Sequence, residues 1–501
     1  MRVRILSRAS DLARIQALLA SRALQARWPD VDVTFLTRAA SGDRDGTTPL
    51  NSLPDKGAFT ADLSDALGSG AAEAVVHSWK DLPLQDRAGT MVAATLERAD
   101  PRDVLVVRQD VVHTRPRTLQ VLSSSPRRTW LLAQALPPLL PWRVEEIGFE
   151  PVRGNIQTRL SKLVEVQGSA SALVVAKAAL DRLLGFGTPF EDAARDVRAL
   201  LDRCAWMVLP LREVPGAPAQ GAIAIETMET MRGGNVAERF RAISHQPTWD
   251  AVMKERNVLA AYGGGCHEAL GATVLPRAYG LVMSIRGRSS TGKQEEGWSL
   301  LEAGSIPPPA QAATIWPRAD ERHHGTRRPL DTTQPDDNAG YWIARAEALP
   351  EGWSVPVDRL VWAAGTTTWR RLAARGIWVH GCADGLGDSE PPAIDLLAGR
   401  EVTWHRLTHR AAAAGDAGAV ATYVVEDVLP DDLPGRTHFF WTSGTLFLEA
   451  IGRWPELGNR WHGSGPGRTW RTIIDTLGST AAVRVWLDYE HWHRDILRTN
   501  P

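Results

Sequence analysis

The sequence predicts an α/β protein built from several domains, and three observations carry that expectation. Strand-like and helix-like spacings of apolar residues alternate through the first two hundred residues, as in sheets joined by crossover helices. The chain has 501 residues, more than the roughly 100–200 of one ordinary domain. A proline-rich break at 303–340 then sets off a tryptophan-rich segment at 341–501.

The elements follow in order. Val3 and Ile5 alternate ahead of Ser7 as a strand. Leu12, Ile15, Leu18 and Leu19 recur at helical spacing, with Ser10 or Asp11 as the N-cap. Residues 31–36 read as a strand. Phe59, Leu63, Ala66 and Leu67 mark a second helix, followed by a short strand at 74–76. A strand at 173–176 runs into a helix at 177–184. In such sheets ligands gather at the carboxyl ends of strands. Trp249, Val252, Glu255, Arg256 and Leu259 form a helical pattern that leads into a glycine-rich loop. Pro307, Pro308, Pro309, Pro317, Pro329 and Pro335 lie among Asp, Gly and Thr, which is linker chemistry.

Composition narrows the function. There are 57 basic and 58 acidic residues, a net charge of −1. That disfavours a dedicated nucleic-acid protein, whose affinity comes from neutralising phosphates, but it permits a local basic pocket. Hydrophobic residues at 44% supply real cores and argue against global disorder. Cys204, Cys266 and Cys382 are too few and too scattered for a disulfide framework or a closed zinc site. The N-terminus lacks the apolar core of a secretory signal, and no run of about 18 apolar residues appears. The expectation is a cytoplasmic protein with reduced thiols, no metal, no membrane and no nucleic-acid partner.

Three arginine sets stand at strand-to-helix junctions. Arg127 and Arg128 follow Ser123, Ser124 and Ser125; Arg153 and Gly154 precede Arg159; Arg8 and Ser10 end the first strand. Helix starts expose N–H groups and positive potential, and paired guanidiniums cradle carboxylates or phosphates. One such pair is ordinarily a solvated surface; three at matching junctions point to a polyanion site. In His77-Ser78-Trp79-Lys80-Asp81-Leu82-Pro83, Lys80 can hold an anion while Asp81 can stabilise a cation or move a proton, although a Lys–Asp surface pair is the commoner reading. Lys56 adds a cation beside a flexible turn, and Asp43 reads as turn chemistry. Gly263-Gly264-Gly265-Cys266-His267 leaves one thiol uncrowded on a loop. Cysteine is usually a small buried hydrophobe, so this setting suits a covalent attachment point. Cys204 and Cys382 read as structural.

Together these strings resemble the hydroxymethylbilane synthase (porphobilinogen deaminase) family. They are RxS at 8–10, KGxF at 56–59, HSWKDLP at 77–83, ERADPRD at 97–103, SSSPRR at 123–128, RGNIQTRL at 153–160, PAQGAIAIE at 218–226 and GGCHEALGA at 264–272. They span roughly residues 1–285, in family order. The resemblance implies a periplasmic-binding-protein-like bilobal pair, with domain 1 from 1–98 and 214–230 and domain 2 from 99–213. A small α+β domain 3 at 231–300, a linker at 301–340 and a C-terminal α/β domain at 341–501 would follow. It implies a dipyrromethane cofactor covalently attached to Cys266, and condensation of four porphobilinogens into linear hydroxymethylbilane with release of four ammonias. By the same resemblance Lys80, Ser124, Ser125, Arg127, Arg128 and Asp43 join Cys266 as cofactor-binding residues. Arg8, Ser10, Lys56, Ser78, Arg153, Arg159 and Gln220 fall on the substrate side, and Asp81 is catalytic.

The sequence departs from the family pattern at Ser52, at Pro54-Asp55, at Pro126, at Asp11 and at His267-Glu268-Ala269. These bear on loop dynamics and elongation rate rather than reaction type. In the tail, 361–376, 438–451 and 461–477 each read as strand, small polar residues, helix, and look like pieces of uroporphyrinogen III synthase, with a crossover strand near 400–410. About 160 residues is short of that two-lobed family. The tail is therefore either a partner enzyme receiving the product from its own chain, or a non-catalytic domain for stability or association. For the whole chain, expected to be a monomer, a non-catalytic solute-binding module is the alternative of a different class.

Overall fold

The structure is a computed structural model. It describes residues 1–38, 61–85, 87–165, 170–229, 234–263, 269–289, 292–302, 306–321, 325–388, 390–426, 428–478 and 482–498. Among them it forms five sheets in a mixed α/β architecture, and no helix is long and apolar enough to cross a membrane.

The first sheet grows from β1 (Arg2–Arg8), β2 (Asp32–Arg38), β3 (Ala74–Ser78) and β4 (Thr90–Thr95), with α1 (Asp11–Arg27) and α2 (Ala61–Gly68) as crossovers. Ser10 caps α1, accepting from Ala13 N at 3.4 Å. The chain then crosses to the second sheet, made of β5 (Asp103–Arg108), β6 (Thr118–Leu122), β7 (Glu146–Glu150), β8 (Ala172–Ala176) and β9 (Cys204–Val208). Its helices are α3 (Gln109–Thr114), α4 (Pro126–Ala135), α5 (Ile156–Val164), α6 (Lys177–Gly185) and α7 (Glu191–Leu201). The chain crosses back to add β10 (Ile223–Met228) to the first sheet. The orders are β2-β1-β3-β10-β4 and β7-β6-β8-β5-β9. Each sheet thus has three parallel strands followed by an antiparallel one, β10 in the first and β5 in the second. The central strands β3 and β8 are nearly continuous apolar runs because both of their faces are covered.

Two helices follow, α8 (Gly234–Arg241) and α9 (Gln246–Ala261), and then an antiparallel sheet of β11 (Ala269–Arg277), β12 (Gly280–Arg288) and β13 (Gln294–Leu301). Beyond the expected boundary at 230/231, Val236 and Phe240 of α8 pack into the cluster holding Val3, Ile5 and Ile225.

The segment expected as a linker, 301–340, contains two short strands among its described residues. Within it β14 (Ile315–Trp316) pairs with a strand at His438–Trp441, and β15 (Thr326–Pro329) pairs with one at Ala419–Glu426. Strands of two and four residues at sheet edges tolerate the prolines that suggested a linker. The tail continues with β16 (Gly340–Ile343), β17 (Val361–Ala363), α10 (Thr366–Ala374), β18 (Gly381–Cys382), α11 (Asp395–Ala398), β19 (Trp404–His409), α12 (Arg410–Ala413) and β20 (Ala419–Glu426). It ends in β21 (His438–Trp441), α13 (Gly444–Arg453), β22 (Trp461–Ser464), α14 (Arg468–Leu477), β23 (Val483–Val485) and α15 (Tyr489–Leu497). These strands make one sheet of order β15-β20-β19-β16-β17-β18 and a parallel one of order β14-β21-β22-β23.

Candidate active site

The candidate residues sit where parallel strands end, the position at which an α/β sheet frees backbone groups for a ligand. β1 ends at Arg8, with Ser10 two residues on. β3 ends at Ser78 and runs into a single tight turn, Trp79–Asp81. After β6 come three serines, and α4 starts at Pro126, so Arg127 and Arg128 fill its first turn. Ser125 caps that helix, accepting from Arg128 N at 3.4 Å. Ser124 Oγ both donates to Val152 O and accepts from Val152 N, each at 2.9 Å, which fastens the β6 loop to the β7 loop.

The β7 loop needs its glycine. Gly154 has φ +111°, and a Cβ there would stand 2.7 Å from Thr158 Cγ2. The turn lets Asn155 cap α5 and aims Arg159 back, its Nε donating to Gly154 O at 2.8 Å.

One carboxylate organises the cations. Asp103, fully buried at the start of β5, accepts from Arg127 Nη2 at 2.8 Å, and from Arg128 Nη2 at 2.6 Å and Nε at 3.2 Å. Burial alone would raise its pKa; Arg128 and Arg127 outweigh that and hold it well below the usual carboxylate range. Gln220 extends the network, with Nε2 donating to Asp103 Oδ1 at 2.9 Å and to Pro101 O at 2.8 Å. Its Oε1 accepts from Lys80 Nζ at 3.2 Å. The first sheet's lysine is thereby tied to the second sheet's arginine pair.

The electrostatics show which groups share this space. Burial pushes the Lys80 ammonium down to about 8, with Arg128 and Arg127 pushing the same way and Asp81 and Asp103 opposing. Arg159 is lowered first by burial, then by Arg128 and Arg8, against the pull of Asp81. Lys80, Asp81, Arg127, Arg128, Arg159 and Arg8 therefore converge from four strand ends. Asp81 is the exposed member of its turn. Arg153 is half-buried on the β7–α5 loop, where its carbonyl accepts from Lys162 Nζ at 3.1 Å.

Arg127 and Arg128 also spend their Nη1 groups on the protein, donating to Pro215 O at 2.6 Å and Val174 O at 3.3 Å, and two further positions are engaged in the same way. Ser78 Oγ accepts from Gln16 Nε2 at 2.8 Å and donates to Gln16 Oε1 at 3.3 Å. Gln220 is buried and spends its amide as described. Both shape the wall of the site. Cys266, Lys56 and Asp43 lie outside the described residues. The other two thiols are buried, and burial first of all pushes Cys204 up to about 11 and Cys382 well above its ordinary value, so neither is a ready nucleophile.

Sequence reading missed Asp103, Gln16 and the buried pair of His77 Nε2 with Glu226 Oε2 at 2.9 Å. Asp103 did carry a signal, an acid opening an otherwise apolar strand after two further charged residues. The donor set fits a polycarboxylate. Three cations stand against one buried carboxylate, and Arg127 Nε is buried with no partner among the described residues.

Comparison with known proteins agrees with this chemistry. The family model "Porphobilinogen deaminase, dipyromethane cofactor binding domain" matches residues 3–235. A porphobilinogen deaminase of Moorella thermoacetica is 35% identical over 299 residues, covering 57% of this chain and 84% of that protein. One from Prochlorococcus marinus is 33% identical over 304 residues, covering 59% and 87%. These matches leave the tail's likeness to uroporphyrinogen III synthase without support. With its anion cradle at the strand ends and relatives aligned over most of their length, the chain belongs to the porphobilinogen deaminase family.

Proposed function

We propose that this cleft holds a dipyrromethane on Cys266 and uses Asp81 as its catalytic group. The family's activity is hydroxymethylbilane synthesis, a transferase reaction of tetrapyrrole biosynthesis. Four porphobilinogens are condensed head to tail, four ammonias leave, and linear hydroxymethylbilane is released. The matching strand orders of the first two sheets, with two chain crossings between them, support a bilobal pair around the cleft. The observation that carries the assignment of roles is the Asp103 clamp. It fixes Arg127 and Arg128 in a half-dry wall, with Lys80 tied to it through Gln220.

When bound, the dipyrromethane supplies an anchored pyrrole on which the chain grows. The protein's own groups do the rest. Arg127, Arg128 and Lys80, with Ser124 and Ser125 shaping the helix start, hold carboxylates of the anchored rings. Arg8, Ser10, Arg153 and Arg159 do so for the incoming pyrrole. Charge-assisted hydrogen bonds in a partly desolvated wall exceed neutral ones about twofold. Asp81 stabilises the positive charge that develops on the incoming pyrrole as its aminomethyl C–N bond breaks and ammonia leaves with the electron pair. The same carboxylate accepts the proton that the coupled α-carbon gives up.

The deciding measurement is the intact mass of the purified protein. It should exceed the polypeptide by about two pyrrole units, and Cys266→Ser should abolish both the extra mass and elongation. A Cys266→Ser protein that elongates at the normal rate would sink the proposal.

A further inference from the structure

β9 is the edge strand of the second sheet, and an edge leaves a row of backbone groups unpaired. Here the tail meets them. Val208 N donates to His380 O at 2.8 Å, and Trp378 Nε1 donates to Trp206 O at 3.0 Å. Just past β9, Asp384 accepts the backbone N–H groups of Leu211 at 3.1 Å and Arg212 at 3.2 Å. Trp369, fully buried, donates to Leu139 O at 2.9 Å. Apolar packing is equally shared, since Leu105, Leu119 and Leu139 belong to one buried cluster with Tyr341, Trp369 and Leu372. The seam is dry. His380 is 4% exposed, and burial pushes its imidazole down to about 3.

A tethered module would show a polar, separable contact. This seam has the anatomy of a domain interior, with an N–H and a carbonyl of the edge strand met by the tail, indole N–H groups satisfied and one carboxylate capping an N–H pair. We propose that the tail unit built on β16–β20 is a permanent face of the second sheet, an intramolecular interface whose partner is the 99–213 segment of the same chain. Its reach extends to the active site. Arg102, next to Asp103, lies over the Trp362 ring at 5.2 Å and donates to Cys382 O and Pro392 O, each at 3.4 Å. The tail therefore braces the strand start that carries the arginine clamp.

The test uses the full-length chain with a specific protease site placed between Glu302 and Ile306 and cut after folding. The two pieces should co-elute at nanomolar concentration, and the uncut chain should unfold in one calorimetric transition. Separation of the pieces, or two independent transitions, would overturn the proposal. A second variant needs no cutting. Trp378→Phe keeps an aromatic ring, though a smaller one, and removes the N–H, so amides of 204–213 should exchange roughly tenfold faster, with turnover of porphobilinogen unchanged. Faster exchange confined to the tail's own residues would also overturn it.

Discussion

At the scale of single residues, the site depends on one buried anion holding two cations. Asp103→Asn keeps the shape but leaves Arg127 and Arg128 without a counter-charge, and breaking such a pair costs about 3–5 kcal/mol. Denaturant unfolding should show that loss, and mass spectrometry should show a protein poor in cofactor. Lys80 supplies a pH signature. Its ammonium titrates near 8 because it is desolvated beside Arg128 and Arg127, so the cation is present below that pH and lost above it. The rate at which the cofactor-free protein takes up its dipyrromethane should fall as pH rises through about 8, because in that form no cofactor carboxylate stands beside Lys80 to hold its proton. Lys80→Arg should flatten that alkaline limb, because a guanidinium stays charged; an unchanged limb would assign it to another group. The cations of this site were legible in the sequence, since arginines after serines at strand-to-helix junctions are a local pattern. Asp103 was not assigned a role. Its partners lie 24 and 25 residues away and meet it only once β5, β6 and α4 are packed.

Elements were legible in proportion to their length and apolar content. α1 announces itself by periodicity and β3 and β8 by unbroken apolar runs, whereas β14 and β15 are too short for either and exist because β21 and β20 offer them edges. α8 looked like part of the third unit by position, and only burial of Val236 and Phe240 in its packing on β4 and β10 brings it to the first sheet. The β7–α5 loop gives a prediction on this scale. Gly154→Ala forces a side chain into a φ of +111° against Thr158, a strain of about 1–3 kcal/mol. Because the loop aims Arg153 and Arg159, KM should rise more than kcat falls. The β9–β18 seam gives another. His380 is held neutral by burial, at about 3 against an ordinary 6.5. A depressed folded value means that this stability is present above pH 6.5 and is lost as pH falls towards 3. At pH 5 the loss is about 2 kcal/mol. Asp384, raised to about 6 chiefly by burial, works the other way over pH 4–6. The clean measurement is the difference between wild type and His380→Asn, whose side-chain oxygen can still accept from Val361 N. Between pH 7 and 5 the variant should lose about 2 kcal/mol less.

On the scale of the molecule, a net charge of −1 conceals a cluster of strand ends where cations outnumber carboxylates. Composition could not show this, because it averages over a surface on which most charges pair locally. The tail is where sequence was least decisive. Its strand–turn–helix junctions are real, at β17–α10, β21–α13 and β22–α14, yet a fold element is not an activity. The geometry between its two sheets bears on the question. The loops after β18 and β22 touch backbone to backbone, since a Cβ on Gly387 would stand 2.5 Å from Gly467 Cα. Arg468 Nε donates to Asp388 at 2.6 Å and Nη2 to Asp416 at 3.0 Å, while Arg406 Nη1 reaches Asp388 at 3.2 Å. The arginines at the carboxyl ends of these two sheets already face the chain's own carboxylates, which argues against their holding an acidic linear tetrapyrrole. Incubating the full-length chain with porphobilinogen, then oxidising and separating the uroporphyrins, should give isomer I, the outcome of ring closure without inversion. Mainly isomer III would mean that these ion pairs give way to the product and that the tail is a second enzyme. In that case Arg468→Ala should change the isomer ratio while leaving consumption of porphobilinogen as it was.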